Sequence, residues 1–196
     1  MKKFKIDEIF KSIQGEGFNF GKEFVFVRFY GCNFDCSWCD QPTLVNIEAT
    51  ADELIAMVEK NGIKSVLFTG GEPTLQLTEE LVKKFKELGY YIAIETNGSN
   101  LVPEGVDYIT VSPKIGLGKE VILKEASEVR VPADTLEMEK YIDIKNKIKA
   151  SKYFLSPIYL EEEKRFDFET LSKVYDALRE YDFRISIQLH KLMGVR

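Results

Sequence analysis

Three cysteines stand within eight consecutive residues, Cys32-Asn33-Phe34-Asp35-Cys36-Ser37-Trp38-Cys39, and the chain has no others. Thiolates separated by three residues and then two wrap one cubane cluster from a single loop, because its irons prefer soft sulfur ligands. Three protein ligands leave one iron open to a ligand that is not protein, whereas a cluster that only carries electrons takes a fourth cysteine. The same residues also read as a zinc site or as buried structural thiols. Structural zinc takes four protein ligands, and the sole histidine, His190, is far along the chain. An odd, clustered set of cysteines makes a poor disulfide framework. Metal binding is the expected chemistry, with iron–sulfur ahead of zinc.

The elements that must position this loop alternate. Phe24–Tyr30, Ser65–Thr69, Tyr90–Glu95, Asp107–Val111, Glu128–Val131, Tyr153–Leu155 and Arg184–Leu189 are short and rich in β-branched and aromatic residues, and they predict strands. Ala51–Lys60, with Thr50 as its N-cap, and Thr78–Leu88, Leu136–Lys149 and Phe168–Tyr181 have helical periodicity. Strand followed by helix implies a parallel sheet with right-handed crossovers. About six or seven strands fall short of the eight that close a barrel of ~250 residues, so the expected fold is α/β, a partial, open parallel β/α barrel, in one domain over residues 1–196. The polar and glycine-rich segments Gly31–Asp40, Gly70–Pro73, Glu95–Gly98 and Ser112–Lys114 all follow strands. Active sites of such folds are built at that edge of the sheet.

Composition sets limits. The 196 residues fit one ordinary domain, and 44% hydrophobic residues suffice for a core. A net charge of −5 argues against a general nucleic-acid or anionic-membrane binder. No apolar run suggests a signal peptide or a membrane span, so the expected location is the cytoplasm.

The cysteine loop, with Trp38 before its last thiol, resembles the signature of the radical S-adenosylmethionine (SAM) superfamily. That resemblance implies a [4Fe-4S] cluster on Cys32, Cys36 and Cys39, with SAM chelating the open iron and cleaved to methionine and a 5′-deoxyadenosyl radical. Thr69-Gly70-Gly71-Glu72-Pro73 resembles the superfamily's segment that holds the SAM ammonium, which implies roles for Gly71 and Glu72. By the same resemblance Glu95, then Ser112, Pro113 and Lys114, lie near SAM, and Ser156 with the residues to Tyr159 lines its adenine. Read alone, each of these is ordinary turn chemistry at a strand end.

Ile9-Phe10-Lys11-Ser12-Ile13-Gln14-Gly15-Glu16-Gly17, Phe26-Val27-Arg28-Phe29 and the ending Gln188-Leu189-His190-Lys191 are similar to the 7-carboxy-7-deazaguanine synthase family, as is nearly the whole chain. What this implies is ring contraction of 6-carboxy-5,6,7,8-tetrahydropterin, begun by removal of hydrogen from C6 and ending with loss of ammonia. Mg²⁺ assists, and the reductant is a flavodoxin or ferredoxin. The side chains suit such a substrate. Arg28 offers a planar fork to its carboxylate. Ile13, Gln14, Gly15 and Glu16 meet the donor and acceptor edge of the pterin. Thr69, His190 and the Arg196 terminus add contacts. Many family members carry Thr or Ser as a Mg²⁺ ligand where this chain has Gln41, a longer oxygen ligand for an ion that demands tight octahedral geometry. Three other readings remain: a glycyl-radical activase, a non-enzymatic iron–sulfur or zinc protein, and a relative acting on another pterin or purine. A homodimer is the default assembly.

Overall fold

The computed structural model describes residues 2–39, 44–133, 137–160 and 162–194. Its elements, in chain order, begin with an antiparallel pair, β1 (Phe4–Ile13) and β2 (Glu23–Phe29), and a short β3 (Ile47–Ala49). Then follow α1 (Ala51–Glu59), β4 (Ser65–Gly70), α2 (Glu79–Glu87), β5 (Tyr91–Thr96), β6 (Tyr108–Val111), β7 (Glu125–Ala126) and β8 (Glu128–Pro132). The chain continues through α3 (Met138–Lys147), β9 (Lys149–Ala150), β10 (Tyr153–Ser156), β11 (Tyr159–Leu160) and β12 (Arg165–Phe166). It ends with α4 (Phe168–Glu180), β13 (Arg184–Ile185) and α5 (Leu189–Met193).

One sheet runs β13-β10-β8-β6-β5-β4-β2-β1-β3. From β2 to β13 every pairing is parallel. The expected open parallel barrel is therefore present, with β1 and β3 added antiparallel at one edge. Those two strands were not expected. In β1 the pairing register shifts between Ile6 and Glu8, a bulge that breaks the period-two alternation by which a strand is recognised. The second difference is at the far edge. The expected strand Arg184–Leu189 is confined to Arg184–Ile185, and Leu189 instead opens α5, which places His190 on a helical turn.

Alternation along the strands separates two environments. Val25, Val27 and Phe29 of β2, Val66 and Phe68 of β4, and Ile92 and Ile94 of β5 join α1 and α2 in one apolar cluster. Val129 and Val131 of β8 and Leu155 of β10 join α3 and α4 in another. The alternate residues face into the barrel. Phe26, Leu67, Ala93 and Tyr108 pair in register across four strands as an apolar layer. One step further toward the C-terminal edge the layer turns polar: Arg28 pairs with Thr69, Glu95 with Thr110, and Thr110 with Glu128. Thr50 caps α1 as expected, and in the reciprocal capping-box bond its amide donates to the Glu53 carboxylate. Among the described residues no helix is long and apolar enough to cross a membrane.

Candidate active site

A cavity of about 540 Å³ opens at the C-terminal edge of the parallel strands. All three cysteines line it, together with Ile13, Gln14, Gly15, Glu16, Arg28, Thr69, Gly71, Glu95, Ser112, Lys114, Ser156 and His190. The sequence expectations thus converge on one place. Gln41 and Arg196 lie outside the described residues. Two of the expected residues are elsewhere. Pro113 faces a second, smaller cavity toward α3. Glu72 is fully buried and absent from the cavity wall. Its carboxylate accepts hydrogen bonds from the Thr74 amide and hydroxyl (3.0 and 2.6 Å), the Thr96 hydroxyl (2.7 Å) and the Asn97 amide (2.7 Å). In this structure Glu72 ties the glycine turn to the end of β5.

The cysteine loop is locked to that turn through backbone. The Glu72 amide donates to the Gly31 carbonyl at 2.8 Å and the Gly71 amide to the Phe29 carbonyl at 3.1 Å. A Cβ on Gly71 would stand 2.1 Å from the Gly31 oxygen, so only glycine permits this approach. Asn33 fixes the loop from the other side: its carbonyl accepts from Asn97 Nδ2 (2.9 Å), and its own Nδ2 donates to Ser99 Oγ (2.8 Å). Burial pushes the Cys32 thiol up, against a hydrogen bond from the Phe34 amide, with Glu72 and Cys39 adding to the rise. Iron binding must displace that proton.

The residues present fit an iron–sulfur cluster with SAM beside it. All three cysteines line the cavity, and the backbone at Gly70–Gly71 is bared against their loop. Ser156 Oγ is buried at the cavity without a hydrogen-bond partner among the described residues, a polar group that a ligand can satisfy. Lys114 donates to the Ser112 carbonyl and hydroxyl and lies 5.5 Å from the centre of the Trp38 ring. Pro157, Ile158 and Tyr159 also line the cavity.

Opposite the cysteines, charged groups are paired. Arg28 Nε donates to Glu8 Oε1 at 3.0 Å. Arg130, which sequence reading missed, stands at the centre of the polar layer. Its Nε is 3.1 Å from Glu16 Oε2, its Nη2 donates to Glu95 Oε1, and its Nη1 is 4.0 Å from Glu128 Oε1. Glu95 also accepts from Gln14 Nε2 (2.9 Å) and Thr69 Oγ1 (3.1 Å). Burial by itself pushes the Glu95 carboxyl up and the Arg130 guanidinium down. Arg130, with hydrogen bonds from Gln14 and Thr69, overrides burial at Glu95, and the charges of Glu16, Glu95 and Glu128 override it at Arg130, so Glu95 sits below the usual carboxylate range and Arg130 above its own. The available signal was an arginine in the middle of Glu-Val-Arg-Val-Pro, where the valines face the helices and so the arginine must face the barrel.

Comparison with known proteins identifies the family and the fold. Residues 26–125 match the radical SAM superfamily. The chain is 38% identical to the 7-carboxy-7-deazaguanine synthase of Haemophilus influenzae, over 98% of this chain and 94% of that one. It is also 38% identical to the enzyme of that name from Bacteroides thetaiotaomicron, over 98% of both chains. The crystal structure of QueE from Escherichia coli superposes with a TM-score of 0.76 over 95% of this chain and 94% of that one. At 24% identity that likeness speaks to the fold.

Proposed function

The chain belongs to the radical SAM superfamily and, within it, to the 7-carboxy-7-deazaguanine synthase family, and from that premise we propose the role of each residue in the cavity. The reaction is ring contraction of 6-carboxy-5,6,7,8-tetrahydropterin to 7-carboxy-7-deazaguanine with loss of ammonia, a lyase step of 7-deazapurine biosynthesis. Residues 1–196 act as one domain, in the cytoplasm, as a homodimer reduced by a flavodoxin or ferredoxin. The observation that carries the reading is that one cavity joins the three cysteines to a hydrogen-bonding floor of Gln14, Glu16, Thr69 and Glu95.

Cys32, Cys36 and Cys39 hold the cluster, and Gly71, Ser112, Lys114 and Ser156 surround SAM. When bound, cluster and SAM supply the carbon radical that takes a hydrogen atom from the substrate. The chain's own residues bind and orient. Glu8 engages Arg28 at Nε, which aims the guanidinium and gives its Nη edge to the substrate carboxylate. Gln14 and Glu16 meet the pterin edge. Arg130 pairs with Glu16 and holds the Glu95 carboxyl below its usual range, and both carboxylates serve as acceptors for the N–H groups of the ring. His190 packs on Gly15, where a Cβ would come within 2.3 Å of its Nδ1, and closes that end of the floor. Mg²⁺ assists, with Gln41 as the candidate oxygen ligand.

The test is turnover. The cluster is reconstituted without oxygen and supplied with dithionite, SAM and 6-carboxytetrahydropterin, with and without Mg²⁺. Mass spectrometry follows 7-carboxy-7-deazaguanine. Its formation, abolished by Cys36→Ala, is the expected result. SAM cleavage with the pterin left intact would overturn the substrate assignment and leave the superfamily chemistry standing.

A further inference from the structure

The loop between β1 and β2, residues 14–22, brings Gln14, Gly15 and Glu16 to the cavity. At its ends it is held locally, by hydrogen bonds from the Gln14 amide to the Lys22 carbonyl and from the Gly21 amide to the Gln14 carbonyl. Its middle is held from the opposite wall. The Phe18 amide donates to Glu128 Oε2 at 2.9 Å, the oxygen that also accepts the Tyr108 hydroxyl at 2.9 Å. Glu128 Oε1 accepts the Thr110 hydroxyl at 3.2 Å. The Phe18 ring stacks on Tyr108, 6.3 Å between centres. Gly17, at φ +64°, passes so close that a Cβ would be 2.3 Å from Glu128 Oε1. Its amide donates to Ser186 Oγ at 3.0 Å, and the Leu189 amide reaches the Gly15 carbonyl at 3.3 Å. The loop thus bridges β2 to the chain beyond β13, two sides of the open barrel that no strand pairing joins.

Glu128 is 2% exposed and does not line the cavity. A buried carboxylate is costly unless donors meet it. Here the donors are the loop itself and two residues of β6. We propose that Glu128 is a positioning residue for the substrate: from β8 it holds the β1–β2 loop across the barrel and so sets the height of the Gln14–Glu16 floor. This rests on the reading that the floor contacts the pterin. Ser186 is a second, weaker tie of the same loop. Arg130 completes the arrangement by fixing Glu16 from the same strand.

The test compares Glu128→Ala, Glu128→Gln and Ser186→Ala in the reconstituted enzyme. A hydrogen bond to a charged group contributes ~1.5–3 kcal/mol, so Glu128→Ala is expected to raise KM for the pterin about tenfold or more. The cluster's absorption and SAM cleavage without pterin stay as in the wild type, and kcat changes far less than KM. Glu128→Gln keeps an acceptor for the Phe18 amide and restores most of the KM. Amide hydrogen exchange at Gly17 and Phe18 quickens in the Ala variant and not in the Gln variant. If Glu128→Ala does not fold, Ser186→Ala must raise KM in the same direction. An unchanged KM in a folded Glu128→Ala protein, a loss confined to kcat, or a Gln variant as impaired as the Ala variant overturns the proposal. If the wild type does not turn over the pterin at all, the functional reading fails, and amide exchange still decides whether Glu128 holds the loop.

Discussion

Arg130 shows how much one side chain can organise. It is buried, and three carboxylates from separate parts of the chain face it. Removing one partner of a buried ionic group leaves the others uncompensated, so Arg130→Gln is expected to cost about 3–5 kcal/mol in urea unfolding. Arg28→Gln, at a less buried single pair, is expected to cost about 1 kcal/mol or less. Glu95 predicts a pH dependence. Its folded carboxyl titrates below the unfolded one, so its contribution is complete above the ordinary carboxylate range and is lost as pH falls through the folded value. Thermal unfolding of wild type should weaken steadily below about pH 4, and Glu95→Gln should flatten that slope. Arg28, Glu95, Gln14 and Glu16 were all legible as candidates from their types and positions. That Arg28 is held by Glu8, and Glu16 by Arg130, was not, because those partners are set by the folding of distant segments.

Among the elements, the glycine turn after β4 has the tightest requirement. The register of β2 with β4 sets Phe29 beside Gly70, and the chains then continue in contact to Gly31 and Gly71. Gly71→Ala must push the cysteine loop away, and iron content after reconstitution should fall severely. Gly62→Ala is the control. Gly62 also has positive φ but open space around it, so the expected cost is backbone strain of about 1 kcal/mol with iron content unchanged. At this scale the four long helices were legible from their helical period, and the central parallel strands from short runs of β-branched and aromatic residues. The strand β1 was not, because its bulge shifts the alternation partway along. The end of β13 was also misread: Ile185, Ile187 and Leu189 alternate like a strand, but the chain leaves the sheet to meet Gly15.

For the whole molecule, the cluster loop is joined to the barrel by the Gly71–Gly31 contact and the Asn33–Asn97–Ser99 bonds, so ligand binding there should stabilise the fold as a unit. Anaerobic thermal unfolding should give a higher Tm for the reconstituted protein than for the iron-free one. Cys36→Ala should unfold at the iron-free Tm under both conditions.

The sequence by itself determined the chemistry and the architecture: three thiols at fixed spacing define a three-ligand loop, and alternating strand and helix periods define a parallel barrel with its polar segments at one edge. Both are local properties, written in neighbours along the chain. Tertiary structure decided which side chain meets which. It turned Glu72 inward to serve as a brace, put Arg130 among three carboxylates, and carried the β1–β2 loop across the barrel to Glu128. Those pairings join residues as far apart as Phe18 and Glu128, and only the closing of the sheet brings them within hydrogen-bond reach.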